Sequence, residues 1–508
     1  MQRFDKPFLT KNLILLATIL ASGITFLIGS TVSIALPSIQ AVFKSSLYEL
    51  QWVLNSFALS LAVLILVGGT LGDKFGRKRV FSIGILLFTL ATFASGFSRS
   101  IAQLVVFQVF AGVGAALMIP GSLAIINTCF EEQEKGKIIG LWAGLSGGIA
   151  TLGPFIGGLL IQTLGWRSVF FLNFPLGMFT LFITLKYVPE SKNPEARRLD
   201  YLGAVLIAIS LLGISSALIY GPQQGWTNPY VIGAIVLGIV GFGMFVIQER
   251  RIVDPLVPFE LFRNPLVLGA NLATLSIYAA LYAVLFFLTL NLQQVQGLTP
   301  ALAGLALLPW NILITVFSGP AGSLADRNGP RLQMILGPAL VGLGMLWMAF
   351  ASSQANYFTD ILPGLVVFGS GMALVIAPLT KSALAVKTEY SGVASGVNNA
   401  VSRTAGFLSL AVFTALMAGL FAAHLSGEVK ELSLSEDMKN AVLAQSAQVG
   451  AIEIPESMQA KARTGVEQAI KDSFVYGYRI ILIINALLAF SAAGTSIFLV
   501  RNDKPAES

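Results

Sequence analysis

Charged side chains inside long apolar runs carry the most chemical meaning in this sequence, and the deepest is Arg403, in Asn398-Asn399-Ala400-Val401-Ser402-Arg403. An arginine at the centre of a membrane helix is unfavourable by about 2.5–3.5 kcal/mol on insertion scales, so it needs partners. Carbonyls, Asn399 one turn back, water or an anionic ligand can serve. Two readings stay open: a packing or gating residue near one end of its helix, or a group that captures a carboxylate or phosphate headgroup. Acids are placed differently. Asp73, Asp200, Asp326 and Asp360 all fall near the ends of apolar runs. The single Cys129 excludes an intrachain disulfide and a cysteine metal cluster, and the single His424 leaves no His-based metal site or triad. His424 itself reads as a boundary residue. Gly112-Val113-Gly114 and Gly342-Leu343-Gly344 lie in apolar runs with no strand before them and no Lys-Ser/Thr after, so they are not nucleotide loops. No metal, no cofactor, no ATP-driven pumping and no enzymatic chemistry are expected.

A second constellation occurs twice. Gly69-Thr70-Leu71-Gly72-Asp73-Lys74-Phe75-Gly76-Arg77-Lys78-Arg79 lies between two apolar runs, and Gly322-Ser323-Leu324-Ala325-Asp326-Arg327-Asn328-Gly329-Pro330-Arg331 lies between two others. Each reads as a tight basic hairpin between membrane helices, with glycine where the backbone needs positive φ. The physical reading makes Asp73 a latch: a carboxylate at a helix N-terminus of the other half is favoured by up to about 1–2 kcal/mol. The glycine-rich run at Gly392 and Gly396 is the expected target, and Arg77 is expected to pair with Glu131 or Glu132. The alternative is a purely topogenic basic loop. Two copies imply two similar halves, a repeat architecture that in many secondary transporters places substrate between the halves. Gly136 and Gly140 open one later run as Gly392 and Gly396 open another.

The elements that must position these residues are membrane helices. The chain has 508 residues, 55% hydrophobic and 11% charged, with repeated apolar stretches of membrane-spanning length. Spans are predicted near 12–35, 50–71, 79–97, 101–128, 138–162, 167–188, 200–220 and 229–248. Six more follow near 266–292, 301–324, 332–351, 358–380, 392–423 and 475–500. The run from Leu13 is a first span and not a cleaved leader. The net charge of +7 reflects topology and not nucleic-acid binding. The N-terminus, the C-terminus and the loops on their side hold roughly 22 of the Lys and Arg residues, among them Arg3, Lys6, Lys11, Arg197, Arg198, Arg250 and Arg251. The opposite short loops hold Lys44, Arg99 and Arg167. Both termini are therefore expected in the cytoplasm. The predicted organisation is a six-helix bundle over 1–190, two inserted helices with their linkers over 191–260, and a six-helix bundle over 261–508. The last contains a polar external segment at about 424–474, read either as a solvated cap or as a binding module.

Uncharged polar residues supply the candidate substrate surface. Asn271, Thr274, Tyr278 and Tyr282 share one face of the ninth span and must turn toward a cavity or another helix. Gln51 and Asn55 in the second span, Gln108 in the fourth, Gln293 and Gln294 ending the ninth and Asn311 in the tenth extend the set. Phe57 and Trp310 offer aromatic contact.

These residues resemble the major facilitator superfamily, and within it the fourteen-span drug:proton antiporter branch. The resemblance rests on the hairpins and on four further stretches. Gly153-Pro154-Phe155-Ile156-Gly157-Gly158 resembles the antiporter motif, with Gly153, Pro154 and Gly157 as gate residues beside Gly69, Asp73, Gly76, Arg77, Asp326 and Arg331. Trp166 to Gly177, Asp254-Pro255-Leu256-Val257-Pro258-Phe259, and Leu292 to Pro300 carry the rest. The resemblance implies an all-α integral membrane protein of the major facilitator fold, alternating between inward- and outward-open states and exporting amphiphilic compounds against protons. Three positions depart from the branch. Ile28 stands where it has an acid, Gln108 where it has an arginine, and Ile149 where it has a glycine. Losing acid and base together strands neither charge, and it leaves proton coupling without a titrating group in the spans.

The resulting expectation is a secondary transporter of neutral or anionic amphiphiles, monomeric and embedded in the cell membrane. A facilitator without proton coupling and a non-transporting membrane sensor or scaffold are the alternatives.

Overall fold

The structure, a computed structural model, describes residues 8–192, 200–386, 391–454 and 458–500. Regular structure among the described residues is helical throughout, as expected where lipid offers the backbone no hydrogen-bond partners. The first group of helices comprises α1 (Phe8–Phe43), α2 (Leu47–Phe75), α3 (Arg77–Ser95), α4 (Ile101–Cys129), α5 (Glu132–Leu164), α6 (Ser168–Phe171) and α7 (Asn173–Tyr187). Two helices follow, α8 (Tyr201–Gln224) and α9 (Pro229–Arg251). The second group comprises α10 (Pro265–Leu290), α11 (Pro300–Ala306), α12 (Leu308–Asn328), α13 (Arg331–Ala349), α14 (Leu362–Ala383), α15 (Ser391–Glu431), α16 (Glu436–Leu443) and α17 (Ala460–Leu499). Among the described residues fourteen segments are long and apolar enough to cross a membrane, and each contains or overlaps one predicted span.

Helix starts follow the local chemistry. Ser46 and Glu49 form a reciprocal capping box on α2. Asn228, Asn264 and Thr299 cap α9, α10 and α11, each followed by proline at the first helical position. Two elements outrun their predicted spans. α15 continues to Glu431 and α17 begins at Ala460, so much of the polar segment is helix stacked beyond the apolar layer.

In the first group α1 packs on α5 and α7, while α2 and α3 pack on α4; in the second, α10 packs on α15 and α17, while α12 and α13 pack on α14. A Gly-x-Gly pair organises each half in the same way. A Cβ on Gly112 would strike the Phe57 carbonyl on α2, and one on Gly114 would strike the Phe88 backbone on α3. Gly369 meets Trp310 on α12 and Gly371 meets Gly337 on α13. The fragment rejected as a nucleotide loop is thus a packing device. α8 and α9 pack on each other, and α8 leans on α2 and α15, outside the seam between the two groups.

Candidate functional site

A cavity of about 290 Å³ lies between the two groups, lined by α1, α2, α5, α10, α12 and α15. Asn55, Phe57, Pro154, Tyr282, Trp310, Asn311 and Arg403 line it, together with Phe26, Ser33, Thr289 and Phe407. Arg403 is its one charged residue among the described lining. Its Nη1 donates to Tyr282 Oη at 2.9 Å, and its guanidinium lies 5.8 Å from the centre of the Phe26 ring on α1. One cation therefore touches both halves, once by hydrogen bond and once by cation–π attraction. Gly406 makes the arrangement possible: a Cβ there would lie 2.7 Å from the Tyr282 ring. Among the described residues no carboxylate pairs with Arg403. Asn55 donates across the seam to the Phe407 carbonyl at 3.4 Å. Asn311 Nδ2 donates to the Leu307 carbonyl of the preceding turn at 3.3 Å, leaving its amide oxygen for other partners.

Other predicted residues fall elsewhere. Asn271 and Thr274 are buried against α15, where Asn398 Nδ2 donates to both, at 3.2 and 2.9 Å. Their end of the polar face thus joins two helices, while Tyr282 at the other end reaches the cavity. Tyr278 is half-buried against the core between them. Asn399 is exposed and bonds the Ser395 carbonyl. Gln51 and Gln108 are buried in the first group away from the lining. Both amide atoms of Gln51 and the Gln108 nitrogen lack a hydrogen-bond partner. Ile28 is buried, and Ile149 packs over Gly23 of α1.

The seam is closed on the face opposite the hairpins. Gln293 Nε2 donates to the Ile34 carbonyl at 3.1 Å, and Gln294 Nε2 to Gln40 Oε1 at 2.8 Å. Gln40 Nε2 in turn donates to the Gln448 carbonyl at 3.0 Å, and Lys44 pairs with Glu453 at 3.0 Å. Beside them α5 meets α11 backbone to backbone. A Cβ on Gly158 would run into the Pro300 carbonyl, and one on Gly304 into the Pro154 carbonyl. Gly153 and Gly157 face Ser30 and Thr31 of α1 within their own half. The antiporter-like stretch therefore splits its glycines between an internal contact and the seam.

On the hairpin face Arg77 pairs with Asp73 and not with Glu131, while residues 387–390 before the expected target of the Asp73 latch lie outside the described residues. Asp73 Oδ1 accepts from Arg77 Nε at 2.8 Å within its own hairpin. Arg77 also bonds Thr128 and the Ala124 carbonyl at the end of α4. Glu131 pairs with Lys11 at 3.7 Å. The Glu132 and Asp326 side chains, Gly136 and Gly392 as side-chain positions, and Arg3, Lys6, Arg197 and Arg198 lie outside the described residues. Asp73 reaches Arg77 because the two are one turn apart across the bend. That bend is fastened from below by Glu190, whose carboxylate accepts from the backbone of Lys78 at 3.0 Å and of Arg79 at 3.1 Å. An anion at a helix N-terminus is electrostatically favoured. Gly76, at φ 117°, leaves room for it. Gly69 lies against Pro120 of α4. The second hairpin is tied down similarly: Arg331 Nη2 donates to the Ile497 carbonyl of α17 at 3.0 Å. The first hairpin is thus anchored to the segment that follows α7 and the second to α17. Glu190 was visible in the sequence only as part of a charged joint, and Phe26 and Gly406 carried no signal beyond their types.

Two pseudo-equivalent bundles, a polar-aromatic cavity between them and a closed face on one side define an α-helical secondary transporter. The comparisons agree. The model of the Major Facilitator Superfamily matches residues 18–410, and the chain belongs to that superfamily. It is 35% identical over 500 residues to the multidrug resistance protein Stp of Mycobacterium tuberculosis, covering 96% of this chain and 91% of that one. It is 30% identical to the tetracenomycin C resistance and export protein of Streptomyces glaucescens, covering 97% and 92%. A bacterial homologue of the human lysosomal transporter Spinster, inward-facing and occupied, superposes with a TM-score of 0.67 at 17% identity, covering 99% and 100%. That likeness concerns the fold.

Proposed function

We propose that this protein exports amphiphilic small molecules with an apolar body and a neutral or anionic polar group. The observation that carries the reading is the cavity itself: aromatic and amide side chains around a single cation, with no acid among the described lining. Cationic compounds meet repulsion from Arg403 and no carboxylate among the described lining, whereas a carboxylate or phosphate can take donors of Arg403 as charge-assisted bonds. The relatives named for multidrug resistance and for tetracenomycin C export support efflux of such compounds.

The basic hairpins and the termini sit on the cytoplasmic side in this reading, following the distribution of Lys and Arg. The closed face is then external, and the bundles over 1–190 and 261–508 rock about the cavity while α8 and α9 ride outside. A monomer suffices, because one chain supplies both walls. The test is binding by thermal stabilisation of the purified protein, since a ligand of the folded state raises its melting point. Matched amphiphiles differing only in headgroup charge are compared. Neutral and anionic members should stabilise more than the cationic member, and the reverse order would reject the reading.

A further inference from the structure

The inserted helices hold two acids that the transport cavity does not use. Asp200 precedes α8 and Glu249 lies in the last turn of α9; both are almost fully buried, at 3% and 4% exposure. Each has one oxygen engaged. Asp200 Oδ1 caps α8 by accepting from the Gly203 N–H at 2.8 Å, and accepts from Gln248 Nε2 at 3.4 Å. Glu249 Oε2 accepts from the Val257 N–H at 2.8 Å. The other two oxygens, Asp200 Oδ2 and Glu249 Oε1, have no partner. They converge on one point, for a Cβ added to Gly203 would collide with both.

No compensating charge is found among the described residues; Arg197 and Arg198, which precede Asp200, lie outside them. Among the described residues no lysine or arginine forms an ion pair with either acid. On α9, Arg250 turns to the Phe259 ring and Arg251 is exposed; on α8, Tyr201 is exposed. The linker contributes Asp254, and the turn at Phe259–Arg263 contributes Glu260 and Arg263, both exposed. α2 and α15, which pack on α8, present the apolar Leu59, Ala62 and Phe407.

Two carboxylates facing each other away from water cannot both stay ionised. We propose that Asp200 and Glu249 form a proton-binding site outside the transport cavity, with one proton held between Oδ2 and Oε1. Binding converts a repelling pair into a carboxylic acid donating to a carboxylate, a short and strong bond. That bond staples the start of α8 to the end of α9. Through the Glu249–Val257 contact it also fixes the linker, whose Val257 packs with Leu261, Val267, Ala394 and Val397 where α10 and α15 begin. The proton thus holds the inserted helices to the hairpin-face mouth of the second bundle.

The experiment uses the full-length protein in lipid nanodiscs, with Asp200→Asn and Glu249→Gln beside the wild type. In each variant an amide N–H replaces the shared proton and keeps the staple. Infrared spectra at neutral pH should show a carboxylic-acid carbonyl band in the wild type, shifted in heavy water, and lost in both variants. The bound proton stabilises the folded state at low pH and is lost as pH rises. The melting temperature of the wild type should therefore fall toward alkaline pH relative to Glu249→Gln, whose profile should be flatter. Absence of the band in the wild type, or a Glu249→Gln profile parallel to the wild type, would overturn the site. So would disappearance of the band on adding sodium at fixed pH, which would assign the oxygens to a metal cation.

Discussion

Arg403 shows how much one residue can gather. It carries the only charge of the described cavity lining, held by Tyr282 from α10 and facing Phe26 from the other half. Arg403→Ala should weaken an anionic amphiphile by about tenfold or more, the scale of a hydrogen bond to a charged group, and a neutral analogue much less. Equal losses for both in a binding titration would make the residue a packing element only. Gln51 tests the opposite situation. Its buried amide has no partner, and such a group lowers stability by about 1–3 kcal/mol. Gln51→Leu should therefore raise the melting temperature without altering ligand binding, and a drop would show that the amide is in use. Asp73 accepts from Arg77 within its own hairpin. Its substitution by Asn should leave membrane insertion intact while slowing flux, read by reconstitution at matched protein content.

Among elements, α5 and α11 meet backbone to backbone across the seam, where Gly158 receives the Pro300 carbonyl and Gly304 the Pro154 carbonyl. Gly158→Leu cannot fit against Pro300 and should hold that face apart. Labelling of a cysteine at position 34 from the outside, in a Cys129→Ser background, should rise several-fold; unchanged labelling would mean that the glycines do not control closure. The polar segment beyond α15 gained a contact that the sequence did not announce. Lys44 and Gln40 of the first group hold Glu453 and the Gln448 carbonyl, so this segment touches both halves. Its docking onto a loop some 400 positions earlier depends on how the bundles meet.

At the scale of the molecule, alternating access requires the closed face to open. A short bifunctional maleimide joining Gln40→Cys to Gln294→Cys, in the Cys129→Ser background, should arrest flux, and reductive cleavage of its spacer should restore it. Continued flux in the linked protein would rule out opening at this seam. The lining also carries no described acid, so downhill flux should be unaffected when an imposed pH gradient is collapsed. A loss of more than half would place a titrating group in the transport path.

Membrane helices are written locally, because every backbone group in lipid must bond within its own segment and the apolar run declares its length. Fourteen spans, the twin hairpins and the family-like stretches were therefore legible from residue order, as were Arg403, Tyr282, Asn55 and Asn311 as polar groups needing partners. Which partners they took was not. Asn271 and Asn311 are both amides on membrane helices, yet one ties α10 to α15 and the other faces the cavity. The difference lies in the rotation of each helix against its neighbours, set by Gly-x-Gly contacts and by carbonyls approaching from the opposite half. The same holds for Asp200 and Glu249: each reads as an ordinary acid at a helix end, and only the packing of α8 on α9 turns two such ends into a buried pair.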